Sequence, residues 1–238
     1  MARTRTHDRL PPSIYFPPAE LASPEGLIGV GGELTPDWLL DAYRHGIFPW
    51  PFSGPLNDEQ LAWWSPDPRA IFELDGLHIS RRLARTCRSG KFHASCDQAF
   101  AGVLEGCATS QKRRFGTWLN PEMRAAYQKM HELGFAHSVE VWHEGQLAGG
   151  TYGLALGGLF AAESMFYRVR DASKVALVHL LAHLNARGYE LLDIQQLTPH
   201  TESLGAVEIS RRFYLARLAK ALESNVSFGG ALESGRWD

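Results

Sequence analysis

The stretch from Gly157 to Gln195 constrains this chain more than any other. It reads as a strand, a helix and a second strand, with polar residues set inside the apolar elements. Glu163 interrupts Gly158-Leu159-Phe160-Ala161-Ala162-Glu163-Ser164-Met165-Phe166, a run with the length and character of a buried strand. Leu191-Leu192-Asp193-Ile194-Gln195 reads as another buried strand, whose period of two sets Asp193 and Gln195 on one face and Leu192 and Ile194 on the other. A buried ionised carboxylate is costly unless paired or hydrogen-bonded, so such residues are retained for a structural network or for a functional site. The residues alone leave both readings open.

At 238 residues the chain fits one large domain, or a small domain joined to a medium one, and either buries a full core without disulfides. Its 45% hydrophobic and 21% charged residues describe an ordinary soluble globular protein. No apolar run reaches the ~20 residues that span a bilayer, and Met-Ala-Arg-Thr-Arg-Thr-His-Asp lacks the apolar centre of a signal peptide. The expectation is a cytoplasmic protein without membrane association. Cys87, Cys96 and Cys107 lack Cys-x-x-Cys spacing and read as reduced, mostly packed thiols. His179 and His183 are four apart on an expected helix, but Leu180 and Leu181 stand where a zinc-protease motif needs its glutamate, so no metal site is expected.

The net charge of −2 gives no global attraction to nucleic acid, but basic residues cluster. Arg81, Arg85 and Arg88 share a helix face with Arg82 and Lys91 nearby, and Lys112-Arg113-Arg114 form a second group. These are candidate phosphate contacts, or equally a solvated helix face.

Residues 11–70 are rich in proline, glycine and tryptophan, and residues 1–70 are read as a small N-terminal domain. Thr35-Pro36 predicts a helix start, with the helix stopping near Gly46, and Pro51 to Gln60 reads as a loop. Residues 71–223 read as an α/β (α+β) domain. Its helices are expected near 80–89, 97–108, 121–133, 173–187 and 210–223, with an antiparallel meander over Ser138–Trp142, Leu147–Leu156 and Leu159–Phe166. Residues 224–238 read as a disordered tail. Three strands, a crossover helix and another strand resemble the core of the acetyltransferase (GNAT) fold: a mixed, mostly antiparallel sheet with flanking helices. Acetyl-coenzyme A enzymes cradle pyrophosphate on a glycine-bearing loop at that helix start; here the loop is Arg168-Val169-Arg170-Asp171-Ala172-Ser173-Lys174, without glycine, which disfavours coenzyme A.

Several segments in register resemble the leucyl/phenylalanyl-tRNA protein transferase family: Gly46-Ile47-Phe48-Pro49-Trp50, Trp63-Trp64-Ser65-Pro66-Asp67-Pro68-Arg69, His137-Ser138-Val139-Glu140-Val141-Trp142, Glu163-Ser164-Met165-Phe166, Ala172-Ser173-Lys174 and Ser203-Leu204-Gly205-Ala206. The resemblance implies transfer of Leu or Phe from aminoacyl-tRNA to proteins bearing N-terminal Arg or Lys, marking them for degradation. A monomer is expected, because the sequence offers no extra amphipathic interface helix. Moving an acyl group from ester to amide is downhill, so no cofactor is expected. The enzyme must position the amine, take its proton and stabilise the oxyanion.

Residue by residue, the resemblance implies that Asp193 holds the acceptor amine, as its general base or as an electrostatic anchor, that Gln195 orients the reacting groups, and that Glu163 faces the acceptor's cationic end. Trp50 and Trp118 match positions for the terminal adenosine of tRNA, with Tyr43 and Tyr127 around the same end. Phe160, Leu180 and Leu192 match positions lining the aminoacyl pocket, and Thr151 stands where that pocket commonly has methionine. Arg81, Arg82, Arg85 and Arg88 are the candidate contacts to the tRNA backbone. Two other classes compete: an acetyl-coenzyme A-dependent N-acetyltransferase, and a non-catalytic adaptor that captures basic N-termini on Glu163 and Asp193.

Overall fold

The computed structural model describes residues 10–53, 59–109 and 118–233. Lys112, Arg113 and Arg114 lie outside the described residues. A three-stranded antiparallel sheet comes first, from β1 (Leu27–Val30), β2 (Phe48–Ser53) and β3 (Glu59–Trp64) in the order β1-β3-β2. The helix α1 (Pro36–Arg44) starts as the sequence predicts, with Thr35 accepting from Trp38 N–H and Pro36 at the first position. The loop expected over Pro51–Gln60 is shorter than expected, because β2 runs on through Ser53 and β3 begins at Glu59. Pro49 and Pro51 alternate along β2, which is an edge strand, so their missing donors face away from β3.

The chain then enters a seven-stranded sheet ordered β10-β4-β9-β8-β7-β6-β5. Its strands are β4 (Arg69–Phe72), β5 (His93–Cys96), β6 (Ala136–His143), β7 (Gln146–Leu156), β8 (Leu159–Tyr167), β9 (Leu191–Gln195) and β10 (Val207–Ile209). The meander β6-β7-β8 is antiparallel, and β8 pairs parallel to β9 through the crossover helix α5 (Ala172–Arg187), as the GNAT-like reading expects. The remaining helices are α2 (Arg81–Arg88), α3 (Phe100–Thr109), α4 (Pro121–Glu132), the short α6 (Pro199–Glu202) and α7 (Arg211–Leu222).

Strand alternation divides the core into two clusters. Leu159, Ala161 and Leu191 join Trp63, Tyr127, Tyr152 and Leu218 on one side; Phe160 and Leu192 join Val139, Leu177, Leu181 and Phe228 on the other. The first cluster includes side chains of both sheets, Trp63 from β3 and Ile71 from β4.

The tail differs from its expectation. Residues 224–233 are laid against the second cluster; residues 234–238 lie outside the described ones. Phe228 is 2% exposed, stacks on His137 at 4.4 Å and meets Phe160 at 5.5 Å. His183 fastens the backbone, its Nδ1 accepting from Glu233 N–H (3.0 Å) and its Nε2 donating to Phe228 O (2.7 Å). Burial lowers the pKa of His183 and pushes His179 down to about 4, so both are neutral, His183 in the core and His179 half-buried on α5. Phe228, with Val226 and Leu232 packed beside it on the same cluster, outweighs the polar composition around it. Phe228→Ala is expected to cost about 3 kcal/mol in chemical denaturation, whereas a change below about 0.5 kcal/mol would show that the tail is not part of the core.

Candidate active site

Two β-bulges build the polar centre. In the β7–β8 ladder Tyr152 pairs with Ser164 and Gly153 with Ala162, which leaves Glu163 as the extra residue. A bulge bends its strand and re-aims one side chain. Gly153 permits it: a Cβ there would lie 2.2 Å from Ala161 O and 2.5 Å from the Phe160 ring. In the β4–β9 ladder Ala70 pairs with Gln195 and Ile71 with Asp193, leaving Ile194 extra. Gln195 adopts φ +60°, a left-handed conformation uncommon for a residue with a side chain. The parallel pairing of β8 with β9 spans only Leu159–Ala161 and Leu191–Asp193, so Glu163 and Gln195 stand just beyond the paired region.

Gln195 Nε2 donates to Glu163 Oε1 at 3.0 Å, and Tyr127 Oη donates to Glu163 Oε2 at 2.8 Å. The Tyr43 and Tyr127 hydroxyls are 2.8 Å apart. Glu163 is half-buried among these groups. Desolvation pushes its pKa up to about 7, against the lowering effect of hydrogen bonds from Tyr43 and Tyr127. Burial and the Glu163 carboxylate push both phenols well above their usual range, so they remain hydroxyl donors.

Asp193 is fully buried and differently placed. Its Oδ1 accepts from Arg69 Nε (2.8 Å) and from Gln195 N–H (2.9 Å), and its Oδ2 from Arg69 Nη2 (2.6 Å) and Tyr214 Oη (2.8 Å). Arg69, 1% exposed, also donates from Nη1 to Gly46 O and lies against the Phe48 and Tyr214 rings, 4.8 and 4.5 Å from their centroids. Neither Arg69 nor Tyr214 is singled out by the sequence reading. Arg69 carried a signal of the same kind as Glu163, a charged residue opening the apolar Arg69-Ala70-Ile71-Phe72; Tyr214 on α7 carried none.

Trp50 and Trp118 stack on each other, with centroids 4.8 Å apart and planes at 22°. Trp50 is 38% exposed and Trp118 is buried beneath it, edge-on to Tyr127. The three rings therefore descend from the surface to Glu163. Phe160, Leu180 and Leu192 are brought together in the second core cluster, Phe160 directly opposite Leu192 in the ladder, and all are fully buried. Thr151 is buried on β7 and donates to Ser164 O.

Arg81, Arg82, Arg85 and Arg88 are all exposed on α2. Arg82 forms a two-pronged pair with Asp171 at 2.7 and 3.0 Å, which fixes α2 to the start of α5. Arg81 and Arg85 show no ion pair among the described residues. Asp171, at φ 73°, thus brings a carboxylate and its arginine to the helix start where a coenzyme A enzyme receives pyrophosphate.

The raised Glu163 has a consequence for stability. Between about pH 4.5 and 7 the folded chain retains a proton that the unfolded chain has released, so Glu163 lowers stability as pH rises through that window. Glu163→Gln is expected to be more stable than the parent near pH 8 by about 1 kcal/mol, discounted for partial exposure, with the gap closing below about pH 5. A gap independent of pH in thermal unfolding would mean that the carboxylate is not desolvated.

Comparison with known proteins places this geometry. Residues 32–67 match the model of the Leucyl/phenylalanyl-tRNA protein transferase N-terminal domain, and residues 71–219 match that of Leucyl/phenylalanyl-tRNA protein transferase. The chain is 52% identical over 207 residues to the leucyl/phenylalanyl-tRNA protein transferase of Azoarcus sp. (strain BH72), covering 86% of each chain. It is 50% identical over 216 residues to that of Chromohalobacter salexigens, covering 90% of this chain and 83% of the relative. Among solved structures it is similar to L-PGS from Bacillus licheniformis (TM-score 0.40, 14% identity, 65% of this chain and 48% of that one). It is also similar to a GCN5-related N-acetyltransferase from Kribbella flavida (TM-score 0.39, 10% identity, 74% and 61%). With its family model matched over most of its length and half its residues shared with curated members, this chain belongs to the leucyl/phenylalanyl-tRNA protein transferase family.

Proposed function

We propose that the protein transfers Leu or Phe from aminoacyl-tRNA to the α-amino group of proteins beginning with Arg or Lys, which marks them for degradation. The observation that supports this most directly is Glu163, a carboxylate raised to about 7 and held by Tyr127 and Gln195 at the foot of an aromatic stack. An acceptor α-amine titrates near ~7.7–8.0, so a base of this strength is matched to it at neutral pH.

In this reading the amine nitrogen attacks the ester carbonyl, the C–N bond forms, and the amine proton passes to Glu163. The C–O bond to the terminal ribose then breaks and the departing oxygen takes up that proton, so no net proton is consumed. Gln195, already an amide donor within the site, orients the reacting groups. Asp193 is already matched by the guanidinium of Arg69, whereas the Glu163 carboxylate has no bonded cation among the described residues, so a cationic N-terminal residue is favoured beside it. Phe160, Leu180, Leu192 and Thr151 surround the transferred side chain, in a dry environment that selects apolar over polar residues.

Trp50 offers its outer face to the terminal adenosine, while Trp118, buried below, supports it. Arg81 and Arg85 face the acceptor-stem backbone.

Transfer of labelled Leu and Phe from their charged tRNAs is expected to peptides starting with Arg or Lys but not Ala, with none from acetyl-coenzyme A. Binding of aminoacyl-tRNA without product would indicate a receptor, and acetylation would overturn the reading. Trp50→Ala should weaken aminoacyl-tRNA binding by about 5- to 100-fold. Replacing Arg81 and Arg85 with Ala should flatten the salt dependence of that binding by about one to two units of slope. Binding unchanged in strength and slope would remove both arginines from the tRNA surface.

A further inference from the structure

Asp193 has no oxygen lone pair left to receive an amine. A carboxylate presents about four acceptor sites, and Asp193 fills four from Arg69 Nε, Arg69 Nη2, Tyr214 Oη and the Gln195 N–H. Arg69 is permanently charged and 1% exposed, so this acceptance is continuous rather than occasional. The fourth donor gives Asp193 its effect on the site. By accepting the backbone N–H two residues on, Asp193 turns the chain back at Ile194, the bulged residue, and holds Gln195 at φ +60°. In that conformation Gln195 Nε2 donates to Glu163 Oε1.

We infer that Arg69 and Tyr214 are positioning residues for the transfer: they lock Asp193, which through the Gln195 backbone aims the Gln195 amide at Glu163, and Glu163 alone takes the amine proton. This rests on the transferase reading above, and it assigns Asp193 a positioning role in place of a proton-transfer role. The guanidinium is itself immobilised. The Phe48 and Tyr214 rings pack against it and Gly46 O holds its remaining arm, so the fork delivers one geometry to Asp193.

The test combines kinetics with a titration that needs no substrate. The variants are Asp193→Asn, Gln195→Ala, Tyr214→Phe, and Arg69→Met combined with Asp193→Leu, which removes the two charges together and leaves neither buried alone. With labelled aminoacyl-tRNA and an Arg-starting peptide, Asp193→Asn, Gln195→Ala and the double variant should each lose about 100-fold in kcat, with KM for the donor within about threefold. Tyr214→Phe, which removes one of four donors, should lose a few-fold.

The acidic limb of the pH–rate profile, set near 7 by Glu163, should persist in Asp193→Asn. In the protein without substrate, 13C NMR of labelled glutamate should show the Glu163 midpoint raised in Gln195→Ala and in the double variant. The opposed effects of Arg69 and Asp193 on Glu163 are removed together in the double variant, so the rise reports the lost Gln195 bond. Wild-type kcat in Gln195→Ala, or disappearance of the acidic limb in Asp193→Asn, would overturn the inference and return Asp193 to the role of base. Should the parent protein transfer nothing, the transferase reading fails separately. An unmoved Glu163 midpoint in Gln195→Ala and the double variant would then still overturn the positioning chain. If the double variant does not fold, Gln195→Ala and Tyr214→Phe carry the same decision.

Discussion

The fork from Arg69 to Asp193 ties together more of this molecule than any other contact. It joins neighbouring strands of the main sheet, β4 and β9, where the ladder between them is broken by a bulge. It reaches Gly46 and Phe48 before and within the smaller sheet, and it engages α7 through Tyr214. A buried ion pair repays its desolvation only when every donor and acceptor is satisfied, and here nearly all are. Removing one partner alone would strand a charge, at a cost of about 3–5 kcal/mol. Its contribution is therefore better seen as geometry than as net stability: it fixes where β9 ends and which way Gln195 points.

The site occupies the place where regular sheet structure gives out. Parallel pairing of β8 and β9 ends at Ala161 and Asp193, and each strand carries one extra residue beyond or at that limit, Glu163 and Ile194. Both irregularities turn polar groups toward a common point, so that Glu163 and Gln195 meet although they belong to different strands. The smaller sheet supplies the approach to this point. Trp50 on β2 covers Trp118, Trp118 meets Tyr127 edge-on, and Tyr127 donates to Glu163.

Two carboxylates within one network are kept apart in character by their surroundings. Asp193 is matched by a guanidinium, a phenol and a backbone amide. Glu163 has only neutral donors, the Tyr127 hydroxyl and the Gln195 amide, and desolvation raises it to about 7.

The sequence by itself determined the longer helices, the β6-β7-β8 meander, β9 and the suspicion of a site. Thr35-Pro36 and Asn120-Pro121 carry their own cap chemistry, so α1 and α4 begin where local hydrogen bonding requires. Apolar runs of strand length located β7, β8 and β9, and a carboxylate inside such a run marks its own anomaly, as Glu163 and Asp193 do. What remained hidden depends on contacts between distant parts of the chain. Arg69 and Asp193 are 124 positions apart and Tyr43 and Tyr127 are 84 apart, separations over which no local pattern speaks. The alternation rule places Asp193 and Gln195 on one face, yet not the bulge and left-handed turn that give them different work, because a bulge is a property of a strand pair. The tail shows the same limit: residues 224–233 are polar enough to suggest disorder, and contacts made only in the folded chain, Phe228 against His137 and Phe160 and the backbone bonds to His183, hold them in place.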